Sequence, residues 1–298
     1  MVKKFKRDFD RMKYFSPDSL ADAVEALLKY PDSHLLAGGT DLLVEKRSGK
    51  IRVETVVDLK RIEGLDKIET LPEGVQIGAL VTVNRLLEKC PLLPGLEALK
   101  DAGMVFGCYE IRNRATIGGN IAHASPGAEY ASTMVALNAT FRIFGPSGVH
   151  EVPAEAFFTG PGRSILKRGE ILIAMIVPLV PGSASAYVRA SRVDGMDLAV
   201  INCALYVSSQ AGGDGKGVRV CFGAVAEKPL RIIEIEKILS EGKWEGENLL
   251  KNVLKCKEIL MKTLSPRETS IRANPFTKKV LAGNLLEDAI VKIGERLG

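Results

Sequence analysis

Arg112-Asn113-Arg114-Ala115-Thr116-Ile117-Gly118-Gly119-Asn120-Ile121-Ala122-His123-Ala124-Ser125-Pro126 decides how this chain is read. A Gly-Gly pair stands between hydroxyl and amide side chains, with an apolar residue just before and just after. Glycines let a backbone approach a ligand closely and reach positive φ. Successive free N–H groups in such a turn make a concavity for anions, typically phosphate oxygens. Thr116 and Asn120 add side-chain hydrogen bonds at its rim. A second stretch has the same build: Leu35-Leu36-Ala37-Gly38-Gly39-Thr40-Asp41-Leu42-Leu43, an apolar run turning through Gly-Gly into polar residues. Two such turns suit a ligand with two phosphates, such as a dinucleotide. The plain alternative is a pair of tight turns that bind nothing.

Outward from these turns the chain reads as mixed helix and strand. Ser16-Pro17-Asp18 is a helix start, with serine as cap and proline in the first turn. Leu20, Ala23, Val24, Leu27 and Leu28 follow at helical spacing, and Pro31 ends the run. Short strands are expected at 35–37, 53–59 and 75–79. Thr82 caps a short helix carrying Leu86 and Leu87, and 95–106 is helical between the breaks at Pro91 and Pro94 and the central stretch. After it come a small-residue helix over 128–137, a strand over 139–144 and a strongly apolar strand over 170–177. Pro178 and Pro181-Gly182 mark a domain boundary. Strands at 185–192, 198–208 and 218–226 follow, the last two joined by a hairpin at Gly212-Gly213-Asp214-Gly215. Helices at 229–239, 248–264 and 276–297 close the chain. Strands followed by helices argue for an α+β fold. The domains are expected at 1–178, in two parts split near residue 60, and at 183–298.

The bulk numbers exclude several classes. At 298 residues the chain fits two domains or three. Hydrophobic residues make up 46% and charged ones 26%, as in ordinary globular proteins. The net charge of +5 is spread out, which argues against a nucleic-acid role. The densest basic run, Lys3-Lys4 with Lys6-Arg7, alternates with Phe5 and Phe9 and precedes no apolar segment of a signal peptide. No apolar run is long enough for a membrane span. Cys90, Cys108, Cys203, Cys221 and Cys256 are scattered and odd in number, so a disulfide framework is not expected and a reducing, cytoplasmic setting is. No C-x-x-C occurs, and His34, His123 and His150 are scattered, so no metal or cluster site is expected on this chain.

The residues resemble the medium, flavin-binding subunits of the molybdenum hydroxylases, which include carbon monoxide dehydrogenases, aldehyde oxidoreductases and xanthine dehydrogenases. Ala37 to Leu42 match the family's first flavin loop, A-G-G-T/H-D/S-L, and Thr116 to Pro126 match its second, T-I-G-G-N-I-x-x-A-S-P. Phe9 to Pro17 with Leu20, Gly169-Glu170-Ile171-Leu172 and Pro178 fit the flavin domain. Ser191-Arg192, Asp197 to Val200, Gly223 to Ala226 and Pro229-Leu230-Arg231 fit the C-terminal domain.

The resemblance implies a two-part FAD-binding domain of the PCMH/VAO type, followed by a C-terminal domain with a three-stranded antiparallel sheet and helices. It implies noncovalent FAD that relays electrons between 2Fe-2S clusters of a small partner subunit and an external acceptor. Molybdopterin and the substrate chemistry would sit on a large partner subunit, in a hetero-oligomer. No catalytic residue is expected here. Leu36, Ala37, Gly38, Gly39, Thr40, Asp41 and Leu42 are implied to hold the cofactor together with Thr116, Ile117, Gly118, Gly119 and Asn120. A carboxylate facing phosphate is repelled, so Asp41 is expected to offer its N–H or cap the following turn. His123 and Ser125 fall in the second loop, His123 either near the cofactor or simply a partly buried imidazole. Glu129 takes a position where the family usually has an aspartate that contacts ribityl hydroxyls. Leu172 or Ile173 is expected to pack on the flavin ring, with Arg189 near its edge. The rival readings are a stand-alone FAD-dependent reductase of the same flavin-domain fold, against which the C-terminal match argues, and a nucleotide-binding scaffold.

Overall fold

The structure, a computed structural model, describes residues 12–90, 93–193, 195–208, 217–241, 244 and 246–297. The basic run at Lys3–Arg7, Pro91 and the expected turn at Gly212–Gly215 lie outside them. The architecture is α+β, with separate apolar cores in a small N-terminal lobe, a larger central lobe and a C-terminal layer.

In the N-terminal lobe, β1 (Lys13–Phe15), β2 (Ser33–Leu36) and β3 (Thr55–Asp58) form a parallel sheet in the order β1-β3-β2. Helix α1 (Leu20–Lys29) connects β1 to β2 and buries Ala23, Val24 and Leu27. Its cap is Ser19 rather than Ser16: the Ser19 hydroxyl accepts the Asp22 amide at 3.1 Å and donates to the Asp22 carboxylate at 2.7 Å. A serine with a carboxylate three residues on closes a reciprocal cap, which Ser16, three residues earlier and with Ser19 at that spacing, cannot do. Central strand β3 buries even Asp58, whose carboxylate accepts the Lys60 amide at 3.0 Å and the Tyr14 hydroxyl at 2.5 Å.

The central lobe is a five-stranded antiparallel sheet of β4 (Ile68–Leu71), β5 (Gly74–Gly78), β6 (Thr140–Gly145), β7 (Gly148–Pro153) and β10 (Ile171–Val177), in the order β4-β5-β10-β6-β7. Strand β10 lies at its centre, which explains its unbroken apolar sequence. Between β5 and β6 the chain forms α3 (Val83–Lys89), α4 (Glu97–Met104), α5 (Tyr109–Arg112), α6 (Ile117–His123) and α7 (Glu129–Ala136). Thr82 caps α3, its hydroxyl accepting the Arg85 amide. Short helix α8 (Ala154–Phe157) leads into a small hairpin of β8 (Phe158–Gly160) and β9 (Arg163–Ser164).

The C-terminal layer sets α9 (Ile233–Glu241), α10 (Gly246–Thr263) and α11 (Pro275–Leu297) against an antiparallel sheet of β11 (Ser183–Ala190), β12 (Ile201–Ser208) and β13 (Gly217–Gly223). A fourth strand, β14 (Leu230–Arg231), pairs with β13 where the sequence had suggested the start of a helix. Glu236 explains the difference: it accepts from Arg231 at 2.6 and 2.9 Å and from the Val220 amide at 2.9 Å, fastening this segment to the sheet before α9 begins.

The layer is tied to the central lobe at several points. Arg296 of α11 forks onto Asp101 of α4 at 2.8 and 2.9 Å. The Ala224 amide donates to the Pro126 carbonyl at 2.7 Å, fixing the end of the second Gly-Gly segment. Gly294 of α11 has nothing within 4 Å of where a Cβ would sit. Gly294→Ala is therefore expected to stabilise the chain by about 0.5–1 kcal/mol through helix propensity, read as a raised thermal midpoint.

Candidate functional site

The two Gly-Gly segments meet face to face. Strand β2 ends at Leu36 and the chain turns through Gly38 and Gly39 into α2 (Leu42–Ser48), with Gly39 at φ +75°. A Cβ on Gly38 would lie 1.9 Å from the Arg114 carbonyl oxygen, so only glycine permits the contact between the loops. A cleft of about 380 Å³ opens along this seam. One wall comes from the first loop and α2, the other from α6, and its floor from the ends of β5 and β10.

The two loops do different things with their amides. Among the described residues, the N–H groups of Gly38 through Leu42 have no protein acceptor. They form a row at the cleft, as expected of an anion cradle. The second segment departs from the expectation. Ile117 donates to the Val81 carbonyl at 2.9 Å, Gly118 to Ala79 at 3.0 Å, Gly119 to the Thr116 hydroxyl at 3.0 Å and Asn120 to the Thr116 carbonyl at 3.0 Å. Thr116 is thus the buried cap of α6, not a rim hydroxyl. Its glycines are packing residues: a Cβ on Gly118 would stand 2.6 Å from the Ala79 Cβ. The second loop offers the cleft a smooth helix face, and the first offers the donors.

Ala37, Gly38, Gly39, Thr40, Asp41 and Leu42 line the cleft, as do Thr116, Gly118, Gly119, Asn120, His123 and Leu172. Asp41 stands at the N-cap of α2 and makes no side-chain capping bond. The structure does not bring the other expected residues into the wall. Leu36 packs beneath Gly39, and Ile117 is wholly buried in the central core. Ser125 lies past the left-handed turn at Ala124 that ends α6. Ile173 falls at a register shift of β10 and packs toward the N-terminal core. Glu129 and Arg189 pair with each other at 3.5 Å behind Asn120, both buried. Arg189 also donates to the carbonyls of Asp197 at 2.7 Å and Gly195 at 3.0 Å.

Sequence reasoning missed Glu45, His34, Leu80, Phe106, Leu166 and Ile171, all in the wall. Glu45 carried a signal, since it lies one helical turn after Asp41 and so shares its face. Phe106 and Leu166 reach the cleft only through the fold.

Among the described residues, the ionisable groups of the wall are Asp41, Glu45, His34 and His123, with no lysine or arginine. Hydrogen bonding from Lys50 holds the Glu45 carboxyl below its usual range, and His123 adds to the effect. Burial pushes Glu129 up to about 7, against the pull of Arg189 and Asn120. A carboxyl raised in the folded state binds a proton that the unfolded chain has released. Its contribution is complete below the ordinary value of 4.5 and is lost as pH rises through about 7. Unfolding free energy is expected to fall over that window by on the order of 3 kcal/mol through this group. Glu129→Gln should flatten the dependence in denaturant titrations. An unchanged slope would show that Glu129 does not carry it.

The cysteines are free, and Cys203 and Cys221 are buried in the C-terminal sheet. Among the described residues, no group of His, Cys, Asp and Glu converges to hold a metal ion, and no helix is long and apolar enough to cross a membrane.

Two family models match the chain. Residues 7–180 match the FAD binding domain in molybdopterin dehydrogenase, and residues 185–293 match the CO dehydrogenase flavoprotein C-terminal domain. The xanthine dehydrogenase FAD-binding subunit of Escherichia coli O157:H7 is 30% identical over 300 residues, covering 97% of this chain and 99% of that one. The carbon monoxide dehydrogenase medium chain of Hydrogenophaga pseudoflava is 33% identical over 223 residues, covering 74% and 77%. Among solved structures, the Hydrogenophaga pseudoflava carbon monoxide dehydrogenase lacking the Mo-pyranopterin moiety superposes with a TM-score of 0.88 at 30% identity, over 97% of this chain and 99% of that one. Quinoline 2-oxidoreductase from Pseudomonas putida 86 gives 0.86 at 28% identity, over 96% and 98%. On these matches the chain belongs to the FAD-binding medium subunits of the molybdenum hydroxylases, the oxidoreductase flavoprotein components of carbon monoxide and xanthine dehydrogenase-type complexes.

Proposed function

We propose that the cleft between the two loops holds FAD with its diphosphate on the amides of Gly38 through Leu42, and that the chain passes electrons between 2Fe-2S clusters of a small partner subunit and an external acceptor. The observation that carries this reading is the row of unpaired amides at the cleft. It is the donor set a diphosphate needs, and the other loop keeps its own amides occupied. Bound flavin supplies the redox chemistry, since it accepts one or two electrons. The chain's residues bind and orient it. Gly38 and Gly118 let the loops close, and Leu172, Leu80 and Phe106 give an apolar wall for a ring system. Molybdopterin and the organic substrate belong, on this reading, to a large partner subunit in the cytoplasm.

The test is a visible absorption spectrum of the purified full chain, loaded with FAD and freed of excess by gel filtration. Oxidised-flavin bands that bleach when reduced iron–sulfur partner is added, with no bleaching by aldehyde, carbon monoxide or purine alone, are the expected result. Direct bleaching of the isolated chain by one of those substrates would remove the relay role.

A further inference from the structure

The carbonyls of Ala124, Pro126 and Gly127, in the turn that follows α6, are each bonded by a distant part of the chain. The Gly162 amide, between β8 and β9, donates to Ala124 at 2.9 Å, the Ala224 amide donates to Pro126 at 2.7 Å, and Asn202 Nδ2 of β12 donates to Gly127 at 3.4 Å. Ala124 and Ala224 both sit in the left-handed region, at φ +50° and +63°, where the Cβ is crowded by the following carbonyl. Ala224 follows β13, and its left-handed turn sends its N–H to Pro126 and its C=O to Lys278. The Lys278 Nζ donates to that carbonyl at 2.7 Å, and the residue is only 6% exposed. Lys278 stands at the N-terminal end of α11, where Asn274 is the cap. A cation there meets the positive end of the helix dipole, and a buried ammonium gives up its hydration. The fold places both of these unfavourable features, and a strained alanine, at one point behind the cofactor cleft.

We infer that Lys278 is a positioning residue for the cofactor site: through Ala224 and Pro126 it fixes the turn after α6, and so holds the helix face of Gly118, Gly119 and Asn120 at the cleft. The inference rests on the cofactor reading above. Helix α6 is only seven residues long, so a shift of the turn at its C-terminal end is felt along all of it. Relaxing Ala224 into an ordinary backbone region would swing its N–H off Pro126 or its C=O off Lys278. The charge-assisted bond from Lys278 opposes that relaxation. The strained residue is thus held from both sides, as strain that persists in a fold must be. In this way the start of α11, in the C-terminal layer, sets the position of one wall of a cleft in the other lobes. Gly162 and Asn202 hold the same turn, so losing Lys278 loosens the wall without dismantling it.

The experiment measures FAD release from the loaded full chain by the return of free-flavin fluorescence. Lys278→Met is expected to release flavin about tenfold faster than wild type, the scale of one hydrogen bond to a charged group. Lys278→Arg keeps a cationic donor and should stay within about threefold of wild type. Glycine adopts the left-handed conformation without strain, so adding Ala224→Gly to Lys278→Met should recover most of the loss. Leu286→Ala, a cavity in the core of the same layer farther along α11, should lower the thermal midpoint and keep the wild-type release rate. Coupling between two sites is reciprocal, so FAD loading of the wild-type chain should slow hydrogen exchange at the Ala224 amide more than at amides in the middle of α11. That measurement decides the matter even where Lys278→Met does not fold, which thermal unfolding of the flavin-free form reports. Wild-type release by Lys278→Met, no recovery with Ala224→Gly, equally fast release by Leu286→Ala, or an Ala224 amide protected no more than those of α11 would overturn the role of Lys278 while leaving the cofactor site standing. Wild-type chain that takes up no flavin would overturn the cofactor reading, and this inference with it.

Discussion

Gly38→Ala is expected to strip flavin from the chain. One methyl group placed there would lie 1.9 Å from the Arg114 carbonyl oxygen and 2.7 Å from its carbonyl carbon, both backbone atoms that cannot rotate aside. The strain must be relieved by parting the two loops, which opens the cleft along its length and turns the amide row away from α6. Overpacking of this kind costs about 1–3 kcal/mol in a side-chain environment and more against a backbone. If that cost falls on the bound form, affinity drops by about a hundredfold or more. Gly49→Ala is the matched control. Gly49 also has φ +75°, yet nothing lies within 4 Å of its missing Cβ. It should lose about 1–2 kcal/mol of stability to backbone strain and keep its flavin. Gel filtration of the loaded variants, with absorbance of flavin against protein, separates the two. Equal retention by both would show that the loop contact does not shape the site.

The second large effect is expected at Arg189. Its guanidinium is the buried counter-charge of Glu129 and donates to the carbonyls of Gly195 and Asp197, so it joins α7 of the central lobe to β11 and to the loop after it. Arg189→Leu leaves a carboxylate and two carbonyl oxygens without their donor. Removing one partner of a buried pair costs about 3–5 kcal/mol. Glu129 can escape part of that cost by staying protonated, because burial already holds it near 7. The destabilisation should therefore be smaller at pH 5.5 than at pH 8, roughly. Adding Glu129→Gln should restore part of the loss at the higher pH, since the double variant no longer buries an uncompensated charge. Denaturant midpoints at the two pH values decide the matter. A loss that is the same at both, with no recovery in the double variant, would assign Arg189 a packing role only.

Much of the fold was legible because local signals and tertiary demands agree. The unbroken apolar run over 171–177 became the central strand β10, and the small residues after Pro126 became the buried helix α7. The cap of α1 was misplaced because Ser16-Pro17 and Ser19 are both good starts, and the reciprocal bond to Asp22 decides between them. Strand β14 was hidden because Leu230-Arg231 takes its conformation from β13 and Glu236, not from its own propensity. The site was legible as two loops but not as a division of labour. Gly-Gly at 38–39 and at 118–119 look alike in sequence. Only the positions of Ala79 and Val81 show that the second pair's segment spends its amides inside the protein. Glu129 and Arg189 were selected by their place along the chain, and the fold turns them toward each other behind Asn120. Leu80 and Phe106 reach the cleft through strand order and helix packing, which no local pattern records.

The most direct test of the central claim is a crystal structure of the full chain loaded with FAD. The diphosphate oxygens are expected within hydrogen-bond reach of the amides of Gly38 through Leu42, with the helix face of Gly118, Gly119 and Asn120 closing over them and no bond from the amides of Ile117 to Gly119. A diphosphate lying instead on the N-terminus of α6, with those amides released from Val81 and Ala79 to bind it, would contradict the assignment of donors and return the second loop to the role its sequence first suggested.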